Sequence, residues 1–246
     1  MEYKIGSIFK VRGGVNVYEG IFVRELKNRF LCVVLIDKEE ITCYVPASCR
    51  LSNFGNFAGC KVLLTENHGK KSRTRFSLYA IYCNRKCIIV NLKEANRIIE
   101  SNIQRRLFAF LGKRKNIRRE YWINDYKCDL FIEDSKTVIE IKSVLLFGCD
   151  NKVLQIHSER AVKQLQSINK LLNEGYKVCY FYVSTNPTVT NLIVEEQNSE
   201  FHWWFKRNME LGMICKAYTI GLKQRKTILK KEIDIKYKDQ AQGDQL

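Results

Sequence analysis

Through its first ninety or so residues the chain alternates short apolar runs with polar turns. The runs IGSIFKV, GIFVREL, RFLCVVLI, ITCYVPA, KVLLTE, RFSLYAIYC and KCIIVNL are of strand length, and RGG, DKEE, NFGN and NHGKK separate them. Several short strands with glycine turns and almost no helix predict a small barrel or sandwich, and an OB-like barrel fits the length. Near Leu92 the period changes. In EANRIIESNIQRRLFAFLG, Ala95, Ile98, Ile99, Ile103 and Phe110 fall at helical spacing, and Gly112 stops the run.

Beyond that helix the pattern predicts strands at 117–123, 126–133 and 136–144, then a helix from Ser158 to Asn173. Ala161, Leu165, Ile168 and Leu172 form its apolar stripe, with Gly175 at its end. KVCYFYV reads as a buried strand, SEFHWWFKRNMELG as a helix and MICKAYTIGL as another strand. Helix, three-strand meander, helix, strand, helix, strand is a mixed α/β arrangement of α+β character. The organisation read from these patterns is a β domain over 1–92, an α/β domain over 93–222, and a basic to polar extension over 223–246 ending in the disorder-prone KDQAQGDQL. There is no internal repeat.

The formal net charge of +16 over 246 residues favours polyanionic partners, because phosphate contacts release condensed counterions. DNA or RNA is therefore the expected partner class. No segment approaches the roughly 18 to 20 uninterrupted apolar residues of a membrane span, and MEYKIGSIFK lacks the order of a signal peptide. The expectation is a cytoplasmic protein with no membrane partner; its oligomeric state is open, a homodimer being one option. The ten cysteines sit singly, mostly in apolar runs, as reduced core thiols do. Cys83 and Cys87 have no second Cys or His pair nearby to complete a zinc site. ENHGKKSR is no phosphate loop, since the glycine required five positions before Gly69 is Leu64.

The candidate chemistry lies in TVIEIKSV, residues 137–144. Side chains alternate along a strand, so Val138, Glu140 and Lys142 share one face. In the preceding run Lys127, Asp129 and Phe131 share a face, opposite Cys128, Leu130 and Ile132. A two-residue turn at Asp134 and Ser135 sets Asp129 across from Glu140 and Lys127 across from Lys142. A turn at Asn124 and Asp125 sets Glu120 across from Asp129, giving a row of three carboxylates with Lys142 beside it. Opposed like charges are destabilising, and a hard divalent cation relieves them best, since Mg²⁺ prefers carboxylate, water and phosphate oxygens. The same pattern also fits a solvated sheet face with cross-strand Lys–Glu pairs.

Asp129, ten intervening residues and Glu140-Ile141-Lys142 resemble the metal motif of the PD-(D/E)xK nucleases. RFL at 29–31, ANR at 95–97, Glu120 ahead of Asp129, EIKSVLL at 140–146 and SERAVKQL at 158–165 resemble, in order, segments of the sugar fermentation stimulation protein family. The resemblance covers about Phe22 to Leu222. It implies an N-terminal OB-like domain, a restriction-endonuclease-like C-terminal domain, DNA binding, a divalent-metal-dependent DNA/RNA nuclease activity with Mg²⁺ or Mn²⁺, and a regulatory role in maltose and other sugar metabolism. Carried over by position, Asp129, Glu140 and the backbone carbonyl of Ile141 are metal ligands, Lys142 is the catalytic lysine and Glu120 an additional acid. Arg160, Lys163, Gln164 and Lys127 fall at nucleic-acid-binding positions. Lys127 stands where the family has arginine, and Gln164 where it has histidine. VLQI at 153–156 replaces an FPDA-like segment and CYVPAS at 43–48 an HCPNTG-like one. The leading expectation is a metal-dependent phosphodiesterase; the alternative is a non-catalytic DNA-binding regulator that keeps the acids.

Overall fold

The computed structural model describes residues 17–239 except 48, 70–71, 84, 149–151, 154–157 and 197–198. The run IGSIFKV and residues 154–156 of VLQI lie outside the described residues. The short apolar runs become strands β1 (Val17–Glu25), β2 (Leu31–Ile36), β3 (Glu39–Tyr44), β4 (Lys61–Glu66), β5 (Phe76–Cys83) and β6 (Lys86–Ile89). They hydrogen-bond in the order β3-β2-β1-β4-β5-β6, and β3 also pairs with β5 in parallel, Cys43 with Phe76 and Tyr44 with Ser77. That extra pairing closes five strands into the expected OB barrel. Phe22, Val34, Val62, Leu64, Leu78 and Ile81 fill it. Gly20 has to be glycine: a Cβ there would lie 2.5 Å from Val34 Cγ1 and 3.0 Å from the Leu35 carbonyl oxygen.

The remainder forms an eight-stranded mixed sheet with helices on both faces. Its elements are α1 (Lys93–Asn102), β7 (Ile117–Ile123), β8 (Tyr126–Ile132), β9 (Thr137–Val144), β10 (Lys152–Val153), α2 (Glu159–Asn173), β11 (Lys177–Ser184), β12 (Asn191–Glu196), α3 (Glu200–Glu210), β13 (Ile214–Lys223) and β14 (Lys226–Asp239). The strand order is β10-β12-β14-β13-β11-β9-β8-β7. Ser158 caps α2, its side chain accepting from the Ala161 amide at 3.2 Å. Leu165, Ile168 and Leu171 of α2 and Phe201 and Phe205 of α3 pack on Val138, Val178, Tyr180 and Tyr182. On the other face Ala95, Ile98 and Ile99 of α1 pack with Ile139, Ile141, Phe181 and Val183.

Two readings of the sequence need correction. The helix read to Gly112 ends at Asn102: Arg105 is extended (ψ 155) and a 3₁₀ turn, Arg106–Leu111, follows. Phe108, not Phe110, is then the buried ring. The segment read as an extension over 223–246 contains β14, which lies inside the sheet between β12 and β13. Its lysines mask an alternation in which Leu229 and Ile233 are buried. Strands β10 and β12 also escape the sequence reading; residues 240–246 lie outside the described residues.

Barrel and sheet are packed against each other. Phe147, just beyond β9, enters the barrel core with its ring 4.5 Å from Phe57 and 5.3 Å from Phe54. Tyr79 of β5 donates to Glu94 Oε2 of α1 at 3.1 Å and also hydrogen-bonds Thr227 Oγ1 of β14.

Candidate active site

The registers expected from the two turns are those observed. β8 pairs with β9 through Leu130–Ile139, Phe131–Val138 and Ile132–Thr137, and β7 pairs with β8 from Ile117–Ile132 to Ile123–Tyr126. The turn after β8 is a 3₁₀ turn, Glu133–Ser135, closed by Lys136 at φ 47. Both ladders are interrupted where the acids lie. Glu120 has no ladder partner and a backbone φ of 46, and the β8–β9 ladder ends at Leu130–Ile139.

The interruption changes the faces. Leu130 and Ile132 belong to the core beneath α1, but Cys128 and Tyr126, of the same parity, belong to the core beneath α2 and α3. Simple alternation along β8, which keeps Cys128 with Leu130, therefore fails at Asp129. A residue held at positive φ opposite it lets the strand turn over locally.

At that break Asp129 takes the place of strand pairing. Its Oδ2 accepts the Ile141 amide at 2.7 Å, and its Oδ1 accepts Asn96 Nδ2 at 2.9 Å. Burial, reinforced by the charge of Glu140, pushes its pKa up to about 6 against these hydrogen bonds. Glu140 is buried on the α2 face, at 4% exposure. Its Oε2 accepts Tyr126 Oη at 2.5 Å, and its Oε1 accepts Lys142 Nζ at 2.7 Å and Gln164 Nε2 at 3.1 Å. Lys142 also donates to Gln164 Oε1 at 2.8 Å and lies 5.9 Å from the centre of the Tyr180 ring.

A cleft of about 840 Å³ lies between barrel and sheet. Asp129, Glu140, Ile141, Lys142, Gln164, Glu120, Lys127 and Arg160 all border it. Lys163, exposed on α2, does not. The three-acid row is not formed: no group of three His, Cys, Asp or Glu side chains converges among the described residues. The left-handed backbone at Glu120 leaves its carboxylate largely exposed and paired with Lys127 Nζ at 2.6 Å, and that cation holds it below the usual carboxylate range. Lys127 is thus a partner of Glu120, and Lys142 of Glu140.

Five contributors escape the sequence reading. Asn96 lies in the ANR segment, but its contact with Asp129 spans 33 positions. Tyr126 reaches Glu140 only because β8 turns over. Cys49, Asn53 and Phe54 bring the barrel to the cleft wall, and no local pattern announces a contact between domains.

The family model described as the sugar fermentation stimulation protein RE domain matches residues 93–226, and that of the SfsA N-terminal OB domain matches residues 25–90. The chain belongs to the sugar fermentation stimulation protein family. A family homologue from Saccharolobus solfataricus is 27% identical over 226 residues, 88% of this chain and 87% of its own. One from Clostridium botulinum is 30% identical over 128 residues, 51% of this chain and 55% of its own. The solved structure of Pyrococcus furiosus SfsA in complex with Ca²⁺ superposes with a TM-score of 0.76 at 20% identity, covering 89% of this chain and 96% of that one. At that identity the likeness establishes the shared fold. No helix among the described residues is long and apolar enough to cross a membrane.

Proposed function

We propose that this family member is a divalent-metal-dependent phosphodiesterase that acts on nucleic acid held between its barrel and its sheet. The observation that carries the reading is the meeting of Asp129, Glu140 and Lys142 in one cleft bordered by Lys127 and Arg160. The donor set fits a hard cation: two carboxylates, one raised in pKa partly by the charge of the other, in a cleft with room for water and phosphate oxygens. Asp129, Glu140 and the Ile141 carbonyl would hold Mg²⁺ or Mn²⁺. Such an ion, when bound, supplies Lewis acidity at a phosphodiester and lowers the pKa of water. A Ca²⁺ complex of the Pyrococcus furiosus relative accords with a divalent site.

The chain's own groups have separable tasks. Tyr126 and Gln164 fix the Glu140 carboxylate. Lys142 orients the attacking water and offsets charge on the pentavalent phosphorus. Arg160, at the first turn of α2, holds a neighbouring phosphate. The test is cleavage of plasmid, single-stranded DNA and RNA with Mg²⁺ or Mn²⁺ against EDTA. Cutting should require metal, and Glu140→Gln and Lys142→Met should each slow it about a thousandfold while binding persists. Metal-independent cutting, or full activity in Glu140→Gln, overturns the assignment.

One observation favours a second reading, a non-catalytic nucleic-acid-binding regulator of sugar metabolism. Both Glu140 oxygens already have protein donors, an arrangement that is complete without an ion. Binding with no cleavage in either metal selects that reading.

A further inference from the structure

A second cavity, about 850 Å³, opens on the barrel away from the carboxylates. Phe30 and Tyr44 line it, their rings stacked at 6.4 Å and 23°. Both are more than a third exposed although large and aromatic, and the Arg29 guanidinium lies 4.7 Å from the Phe30 ring centre. Of its other lining residues Arg73, Arg75 and Lys93 are cationic, and no Asp or Glu is among the described residues that border it.

The platform is pinned. Asn28 Oδ1 accepts the Phe30 amide at 3.1 Å, and the Val45 amide donates to the Phe30 carbonyl at 2.8 Å, tying the ring-bearing ends of β2 and β3 together. Across the cavity Asn67 links Thr74 and Ser77: Nδ2 donates to the Thr74 carbonyl at 3.0 Å, and Oδ1 accepts Ser77 Oγ at 2.6 Å. Exposed rings kept rigid beside hydrogen-bonding amides and cations suit one ligand chemistry, unpaired bases joined by phosphates. A duplex keeps its base faces stacked inside and offers the rings nothing. Lys93 borders this cavity, and its charge also acts on Glu120, which lines the cleft.

We propose that this groove is a single-strand subsite, in which bases stack on Phe30 and Tyr44 and the backbone passes Arg73, Arg75 and Lys93 toward the Asp129–Glu140 cleft. The proposal rests on nucleic acid being the ligand, and not on its being cut. It makes the preferred substrate a single strand, or a duplex with an unpaired end.

The test is fluorescence anisotropy of the full chain in EDTA, which separates binding from cleavage, with a labelled oligothymidylate and a blunt duplex of equal length. The single strand should bind at least about tenfold tighter, and Phe30→Ala with Tyr44→Ala should remove about tenfold or more from single-strand affinity with duplex binding unchanged. Phe30→Trp and Tyr44→Phe should restore it, which separates stacking from folding. Trp203→Ala, an exposed ring on α3 outside the groove, should change nothing. Three phosphate contacts predict a slope of about −2 in log affinity against log salt for the single strand. Equal affinity for duplex and single strand, or indifference to the double alanine variant, overturns this subsite and leaves the phosphodiesterase reading standing. Tight single-strand binding without metal-dependent cutting does the reverse. Absence of any binding overturns both.

Discussion

Asp129 ties the stability of the metal-free protein to pH in a direction opposite to that of most carboxylates. Its pKa is raised from 3.8 to about 6, first by burial and then by the Glu140 charge. Below pH 3.8 both native and unfolded chains carry the proton. Between 3.8 and 6 the native state keeps the proton that the unfolded state releases, so stability falls as pH rises, and above 6 the loss is complete. A difference of about 2 pH units at about 1.4 kcal/mol each makes the loss about 3 kcal/mol. Urea melts of wild type and Asp129→Asn in EDTA, from pH 4 to 8, isolate it. Asparagine also forfeits an acceptor for the Ile141 amide or for Asn96, but that cost does not vary with pH. The wild-type advantage should therefore shrink by about 2 kcal/mol between pH 4 and 8, part of the loss lying below pH 4, and level off near the upper end. Mg²⁺ added at pH 8 should stabilise the wild type and not the variant. A difference that stays flat across the range refutes the account of burial and Glu140 repulsion.

Three further outcomes test the frame around the site. Gly20→Ala should cost about 1 to 3 kcal/mol and lower Tm, because its Cβ would press on Val34 and the Leu35 carbonyl within the barrel; an unchanged Tm would mean that β1 and β2 part freely. Tyr79→Phe removes a buried hydroxyl shared by Glu94 and Thr227 and should cost about 1 to 3 kcal/mol in urea melts. A chain ending at Gln224 lacks β14 and should lose β12 and β10 from the sheet, since both join it only through β14; a fall in strand signal by circular dichroism and in solubility reports it.

The sequence was informative where local rules decide. The turns read at Asn124-Asp125 and Asp134-Ser135 gave both hairpin registers, although the second connection is the longer 133–135 3₁₀ turn, because alternation leaves little freedom. Ser158 and the apolar stripe after it placed α2, and the short runs placed the barrel. Of the candidate site, residue types whose side chains share a cleft were legible: Asp129, Glu140 and Lys142. Its finish was not. No periodicity encodes the left-handed backbone of Glu120 or the reversal of faces along β8. Nor does composition reveal that Gln164, arriving on α2 from 24 positions away, hydrogen-bonds both Glu140 and Lys142. β14 was missed because its exposed lysines outweigh, in any window average, the few apolar positions that make it central.

The place of β14 has a consequence for the nascent chain. β12 and β10 reach the sheet only through it, so a strand made earlier waits for one made later. Until residues 226–239 leave the ribosome, β13 presents an unpaired edge and β12 has no template, while β9 and β11 can already pair. The half that bears the acids can thus form while its other flank is still open, and that interval is when a chaperone, or a neighbouring chain, has a bare strand edge to seize.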